Sequence, residues 1–218
     1  PSGDPYDQHY KRLYYCRYAD DFCIGIIGSK ADAEQVREQV KRYIQETLKL
    51  TIAEEKSHIR HGKEGVIFLG YWVGTYTAEK IVKITRGHHH TTMKSIAERL
   101  QLRIPPGRLQ EFCSTKQYGT YQTVEAKARP ELLNCSDAEI LLTYNAELRG
   151  LANYYALAQS VRRYMNKLAY VWQTSFFKTL AHKHKTSVTK IARRLKTETG
   201  YALTVPGKKG TQIGRAHV

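Results

Sequence analysis

The apolar positions near the start of the chain fall into two short runs separated by a polar break. The segments from Leu13 to Cys16 and from Phe22 to Ile27 are rich in aromatic and β-branched residues, a composition that favours strands. The break contains Ala19-Asp20-Asp21, which is typical of a tight turn. The pattern therefore predicts a β-hairpin with two adjacent carboxylates at its tip.

A helix and further strands are predicted after this hairpin. Apolar residues at helical spacing indicate a helix from about Ala31 to Leu48, and Ser29 with Asp32 forms a capping-box signal at its start. The run from Gly65 to Val73 is continuously apolar, as in a buried strand. Two further β segments are predicted, a short strand at 50–52 and the completing part of a second hairpin at 75–85.

From about residue 86 the spacing of apolar residues becomes helical. Ser136 and Glu139 form a second capping-box signal before a long helix. His88 to His90 is predicted to be a polar helix start rather than a metal site, because three consecutive imidazoles point in different directions. Further helices are predicted at 92–102, at 161–172, from 176 onwards and at 188–195.

The predicted fold class is α+β, in three parts. Residues 1–85 contain antiparallel hairpins with a packed helix, residues 86–205 form an all-helical region, and residues 206–218 form a Gly- and Lys-rich flexible tail.

The positive charge is concentrated in the last third of the chain. The whole chain carries a net charge of +15, whereas residues 149–218 contain 14 Lys and Arg residues against the single acid Glu198. Uncompensated charge at this density favours a polyanionic partner such as nucleic acid over a merely solvated basic face. The absence of a long apolar run predicts a soluble chain without contact to a membrane.

The cysteines predict a reducing compartment. Cys16, Cys23, Cys113 and Cys135 show no C-x-x-C spacing, so we expect free thiols rather than a zinc site or a disulfide framework. The expected location is the cytoplasm of a bacterium, with an organelle as the alternative.

Two carboxylates at one rigid turn repel each other unless a cation binds between them. Oxygen ligands of this kind suit Mg²⁺, and a pair of such ions is the arrangement used for nucleotidyl transfer. Asp20 and Asp21 are therefore candidate metal ligands. The alternative is a solvated Asp-Asp turn, which the apolar flanks disfavour.

The segment Arg17-Tyr18-Ala19-Asp20-Asp21-Phe22 resembles the palm hairpin of reverse transcriptases, and most closely that of the reverse transcriptase/maturases encoded by group II introns. Glu147 to Tyr155 resembles the signature helix of the maturase thumb, called domain X. The resemblance implies that residues 1–85 are the C-terminal part of the palm and residues 86–205 the thumb. It also implies an RNA-directed DNA polymerase and splicing factor that uses Mg²⁺.

The same resemblance implies individual roles. Asp20 and Asp21 would be catalytic metal ligands, and Lys56 would reach toward the incoming nucleotide. The turn Phe68-Leu69-Gly70-Tyr71 resembles the primer grip, which holds the 3′ end of the growing strand. The remaining expected contacts to primer or RNA are Tyr18, Arg149, Asn153, Tyr154, Arg162, Arg163, Lys183, Lys185, Arg193 and Arg194.

The expected partners are structured intron RNA and a DNA primer. A third metal-binding aspartate and the fingers of a polymerase find no counterpart in the sequence, so we expect an upstream polymerase portion to be missing. Two alternatives stay open, a non-catalytic RNA-binding maturase and a relic fragment with neither activity.

Overall fold

The computed structural model describes residues 11–53, 55, 57–77, 80–87, 89–95, 98–198, 200–207 and 210–215. The chain divides into two compact units. The first comprises residues 1–69 and 73–100, and the second comprises residues 70–72 and 101–218. The architecture is mixed α and β, as the sequence predicts.

The first unit begins with the predicted hairpin and helix. The strands pair antiparallel from Arg12 opposite Ile27 to Tyr18 opposite Asp21. The following helix is capped by Ser29, whose hydroxyl accepts a hydrogen bond from the Asp32 amide at 3.2 Å. The elements described up to residue 100 are β1 Arg12–Tyr18, β2 Asp21–Ile27, α1 Lys30–Glu46, β3 Val66–Phe68, β4 Tyr71–Thr77, β5 Lys80–Arg86, β6 His89–Ser95 and the start of β7 Glu98–Arg103.

Several predictions for this region are wrong. Residues 50–52 form no strand, and the run predicted as one buried strand is broken into β3 and β4 by a turn at Leu69 and Gly70. Among the described residues, β5 pairs with β6 rather than completing a hairpin with β4, which lies between β3 and β7.

The helix predicted at 92–102 is also absent, because the segment contributes to β6 and β7. Gly87 has φ +61°, a left-handed conformation that glycine adopts readily, and this allows the chain to turn back so that Arg86 pairs with His89. Cross-strand hydrogen bonding therefore outweighs the helical spacing of the apolar residues. The predicted helix start at His88 to His90 is likewise wrong for His89 and His90, which belong to β6, whereas His88 lies outside the described residues.

The second unit is mainly helical but not all-helical. Its predicted capping box is confirmed, with the Glu139 amide donating to the Ser136 hydroxyl at 3.2 Å. The helices predicted at 161–172 and from 176 are one continuous helix. The elements of the second unit after β7 are α2 Arg108–Thr115, β8 Gly119–Thr120, β9 Glu125–Ala126, a 3₁₀ turn Pro130–Leu132, α3 Asp137–Tyr154, α4 Val161–Lys183, α5 Val188–Leu195, β10 Lys196–Thr197, β11 Gly200–Gly207 and β12 Gly210–Arg215. The last two strands pair antiparallel, so regular structure extends into the tail predicted from residue 206.

The hydrophobic core belongs to the second unit. Among the described residues, every buried apolar side chain lies between Leu109 and Leu203. Tyr144 of α3 contacts Trp172 and Phe176 of α4 edge-on, with ring centroids 5.9 and 5.5 Å apart. Their aromatic packing joins the two helices. No helix in the described part of the chain is both long and apolar enough to cross a membrane.

Candidate nucleic-acid interface

The tip of the first hairpin presents both aspartates to solvent. Ala19 has φ +53°, a conformation that costs a non-glycine residue free energy. The Arg17 Nε donates a hydrogen bond to the Ala19 carbonyl at 2.6 Å and fixes the turn. Asp20 lies in the turn, and Asp21 begins β2 opposite Tyr18. Since directly paired residues project from one face of a hairpin, Tyr18 and Asp21 lie side by side.

The donor set at this turn fits Mg²⁺. Asp20 and Asp21 supply only carboxylate oxygens, which are ligands that this ion prefers, and both residues are exposed. The described residues contain no group of three or more His, Cys, Asp or Glu side chains placed to hold a metal. Lys56, the residue expected near the incoming nucleotide, lies outside the described residues.

The hairpin also brings two cysteines together. Cys16 on β1 pairs directly with Cys23 on β2. Burial, followed by the proximity of Cys16, raises the pKa of the Cys23 thiol above its ordinary value.

The turn that resembles the primer grip has an uncommon backbone. Leu69 and Gly70 are consecutive residues with positive φ, +47° and +71°. Two successive left-handed residues make a tight hairpin turn, and they require the chain to reverse between Phe68 and Tyr71. The turn form implied by the resemblance is therefore confirmed in place of a continuous strand.

Tyrosines at the end of α3 hold the Gly70–Tyr71 part of this turn. The Tyr71 hydroxyl donates to the Tyr154 carbonyl, and the Tyr155 hydroxyl donates to the Gly70 carbonyl at 3.1 Å. The Tyr71 ring is stacked on Tyr154, with centroids 5.8 Å apart. A Cβ added to Gly70 would lie 2.5 Å from the Tyr154 hydroxyl, so a larger residue would displace the Tyr154 ring and would also be strained at φ +71°. Two motifs that are distant in sequence thus form one cluster.

This cluster changes the expected role of Tyr154. The sequence predicts that its ring stacks on an RNA base, whereas the structure stacks it on Tyr71 and leaves the residue 53% exposed. Tyr155 is 1% exposed, and burial raises the pKa of its hydroxyl while the nearby Arg108 guanidinium acts in the opposite direction. The end of α3 therefore supports the turn as well as facing solvent.

Arg149, Gly150 and Asn153 lie on the exposed side of α3. A Cβ added to Gly150 would meet no atom within 4 Å, so this glycine serves no close packing with the described chain. The Arg149 and Asn153 side chains are exposed, and their contact with RNA stays a prediction.

The basic residues at the end of α4 and on α5 separate into two sets. Lys183 Nζ lies 2.9 Å from Asp137 Oδ1, and Arg194 lies 3.6 Å from Asp137 Oδ2. His184 Nε2 lies 2.7 Å from the same carboxylate. Lys183 and Arg194 therefore help to join α4 and α5 to the start of α3, which sequence analysis did not foresee.

The second set points outward. Lys185, Lys190 and Arg193 are exposed, and so are Arg162 and Arg163 at the start of α4. No described carboxylate lies within 4.0 Å of any of them, since the ion pairs formed in this part of the molecule involve other residues. Val188, Ile191 and Leu195 face the core on the opposite side of α5. The amphipathic helix thus displays uncompensated charge.

A buried polar cluster was missed by sequence analysis. Arg129 is 3% exposed, and its guanidinium lies over the rings of Tyr118 and Tyr144 at 5.2 and 5.1 Å. It pairs with Glu131 at 2.7 Å and with Glu147 at 2.8 Å. Burial and the hydrogen bond to Glu147 raise the pKa of Tyr118 far above its ordinary value. A sequence signal for this cluster is Glu147, a charged residue that falls among the apolar positions of α3.

Comparison with known sequences agrees with this arrangement. Residues 89–209 match the type II intron maturase family, and residues 3–73 match the reverse transcriptase (RNA-dependent DNA polymerase) family. The hairpin with Asp20 and Asp21 lies within the reverse transcriptase match, and most of the second unit lies within the maturase match. The chain belongs to the group II intron reverse transcriptase/maturase family.

The relatives come from a bacterium, a yeast and a plant. The chain is 33% identical over 207 residues to the group II intron-encoded protein LtrA of Lactococcus lactis, covering 93% of this chain and 34% of that protein. It is 33% identical over 194 residues to the putative COX1/OXI3 intron 2 protein of Saccharomyces cerevisiae, covering 84% and 22%. It is 23% identical over 186 residues to nuclear intron maturase 2, mitochondrial, of Arabidopsis thaliana, covering 80% and 24%. The chain thus spans about a third or less of the length of these proteins.

Proposed function

We propose that the second unit binds structured intron RNA through the outward-facing basic residues of α4, of α5 and of the turn between them. The observation that carries this proposal is that the basic residues near Asp137 fall into two sets, one paired with this aspartate and one exposed. Lys183 and Arg194 pair with this aspartate, whereas Lys185, Lys190 and Arg193 are exposed and have no acidic partner among the described residues. Exposed charge that does not stabilise the fold is available for phosphates.

The composition of this surface favours RNA with unpaired bases. Tyr164 and Tyr170 are 40% and 59% exposed on α4, close in sequence to Arg162 and Arg163. Basic side chains position a phosphate backbone, and exposed aromatic rings stack on unpaired bases. Arg149 and Asn153 on α3 would add a charge and a hydrogen-bonding amide.

The test is RNA affinity as a function of salt concentration. Reversing the charge of Lys185, Lys190 and Arg193 to Glu together should lower the affinity for structured intron RNA strongly at low salt. The triple reversal should also reduce the magnitude of the slope of log affinity against log salt by about 2. Each of the three lost phosphate contacts contributes about 0.7–0.9 to that slope.

A matched control carries three reversals in the first unit. Arg42, Arg60 and Lys63 are exposed there, and their reversal changes net charge by the same amount. We expect this control to retain most of the affinity. Equal affinity and equal salt slope in the wild type and in the variant with reversals at Lys185, Lys190 and Arg193 would contradict the assignment of the RNA surface.

We further propose that Asp20 and Asp21 hold Mg²⁺ for RNA-directed DNA synthesis when the rest of a polymerase palm is supplied. Bound Mg²⁺ would activate the primer 3′-hydroxyl and stabilise the leaving pyrophosphate. The Arg17 bond to the Ala19 carbonyl holds the turn in place before a metal binds. The role of Lys56 toward the nucleotide stays a prediction. A location in the bacterial cytoplasm, with an organelle as the alternative, stays a prediction.

The turn at Gly70 would then hold the 3′ end of a DNA primer. Its support is the fixed position that Tyr155 and Tyr71 give it within the second unit. Primer extension on an RNA template, with the rest of the polymerase palm supplied, tests the polymerase proposal when this chain is compared with its Asp20→Ala, Asp21→Ala double variant. Extension that the double variant abolishes would support it. Extension that survives in the double variant would refute the metal assignment.

A further inference from the structure

The two cysteines of the first hairpin occupy directly opposed positions. Cys16 pairs with Cys23, and only the Arg17–Phe22 pair separates them from the Tyr18–Asp21 pair at the turn. Directly opposed residues of an antiparallel pair project from the same face, with Cβ atoms about 4.5–5.5 Å apart. The two thiols therefore face each other on the side that also carries Asp21.

The Cα spacing at this position suits a disulfide, and the Cβ spacing is slightly wider than a disulfide needs. A disulfide joins Cα atoms about 4.4–6.8 Å apart and Cβ atoms about 3.5–4.5 Å apart. Directly opposed antiparallel residues have Cα atoms about 4.5 or 5.5 Å apart, depending on the hydrogen-bonding position. Closing the bond would bring the Cβ atoms together by about 1 Å, and it would leave the register of the strands unchanged.

The thiols are also accessible. Cys16 is exposed and Cys23 is half-buried, whereas Cys113 is buried in the core of the second unit. All seven residues of β1 are exposed, so no packed core opposes a small approach of the strands. The exposed Cys16 is the thiol that a small oxidant meets first.

We propose that Cys16 and Cys23 form a reversible disulfide across the hairpin that carries Asp20 and Asp21. The oxidant is a low-molecular-weight disulfide. The Cys16 thiolate attacks one of its sulfur atoms and releases one thiolate, and the Cys23 thiolate then attacks Cys16 and releases the second. The two cysteines lose two protons and two electrons, and the oxidant is reduced to two thiols. The bond stiffens the strands that position the turn, and its regulatory meaning rests on the proposed metal site.

The test exposes the intact chain to a series of oxidised and reduced glutathione mixtures. The expected product is lighter than the reduced chain by two hydrogen atoms, and digestion should yield a peptide in which Cys16 is linked to Cys23. Reduced glutathione should reverse the reaction. Amide exchange in the hairpin should become at least about tenfold slower in the oxidised form, because a short disulfide loop restrains local opening.

Three serine variants make the result specific. Cys16→Ser and Cys23→Ser should each abolish the loss of two hydrogens, and Cys135→Ser should leave it intact. A stable mixed disulfide on Cys16 while Cys23 stays reduced, a dimer linked through Cys16, or no oxidation at all would each overturn the proposal. None of these readouts needs RNA, a nucleotide or a metal ion. A failure of the proposed polymerase function is therefore distinguishable from a failure of the disulfide.

Discussion

The buried cluster around Arg129 allows a sharp test, because two glutamates pair with the same guanidinium in different environments. Glu147 is 14% exposed at its side chain, and Glu131 is 44% exposed. Glu147 also accepts a hydrogen bond from the buried Tyr118 and lies 3.3 Å from Lys116. Replacing each glutamate with glutamine keeps its shape and removes its charge.

We expect Glu147→Gln to lower the free energy of unfolding by about 2–3 kcal/mol. The variant leaves a buried arginine with weakened compensation, and hydrogen bonds to charged groups in such settings contribute about 1.5–3 kcal/mol. Glu131→Gln should lower it by less than about 1 kcal/mol, because water screens a partly exposed ion pair.

Urea unfolding followed by tryptophan fluorescence is a suitable assay. The chain has two tryptophans, Trp72 and Trp172, and both belong to the second unit, so the signal reports on the unit that contains the cluster. Trp172 is fully buried and donates a hydrogen bond to the Tyr144 carbonyl at 2.6 Å. The reasoning from burial would be refuted if the two variants lost the same free energy of unfolding. A decrease below about 1 kcal/mol for Glu147→Gln would refute it as well.

Two further predictions concern the second unit. Tyr155→Phe removes the hydroxyl that donates to the Gly70 carbonyl at 3.1 Å, so amide exchange at residues 70–72 should accelerate about fivefold. Tyr121→Phe removes a comparable bond at 3.3 Å elsewhere and should leave that segment unchanged, and equal acceleration in both variants would contradict a local role. Burial alone would raise the pKa of Asp137, but hydrogen bonds from its lysine and histidine partners lower it below 3.8. The stability that this carboxylate contributes is therefore present above its ordinary pKa and lost as the pH falls through the lower folded value. Asp137→Asn should be less stable than the wild type at neutral pH, and unfolding measured across acid pH should show the difference closing below pH 3.8. A constant difference would rule out the carboxylate as its source.

The sequence is informative about elements whose determinants are local. The capping boxes at Ser29 and Ser136 and the turn at Asp20 were predictable, because each is set by residues within three or four positions. The strands β6 and β7 were not predictable, since a short apolar pattern fits a helix or a strand until a partner strand is present.

The candidate site was predictable in its residue types but not in its partners. Lys183 and Lys185 are two positions apart in the same basic run, and the first is paired with Asp137 while the second is exposed. The difference depends on how α4 ends beside the start of α3. Sequence spacing carries no information about a carboxylate that is more than forty residues away.

The sequence by itself determined that this chain carries two carboxylates on a hairpin tip, and that its excess positive charge lies in the last third. Only the tertiary structure decided which of the described basic residues are exposed without an acidic partner and which ones pair with Asp137. It also joined the Gly70 turn to Tyr155, which lies 85 positions later in the chain. The physical reason for this division is that charge and turn propensity depend on a residue and its neighbours in the chain. Ion pairing, burial and hydrogen bonding between distant residues exist only once the chain has folded.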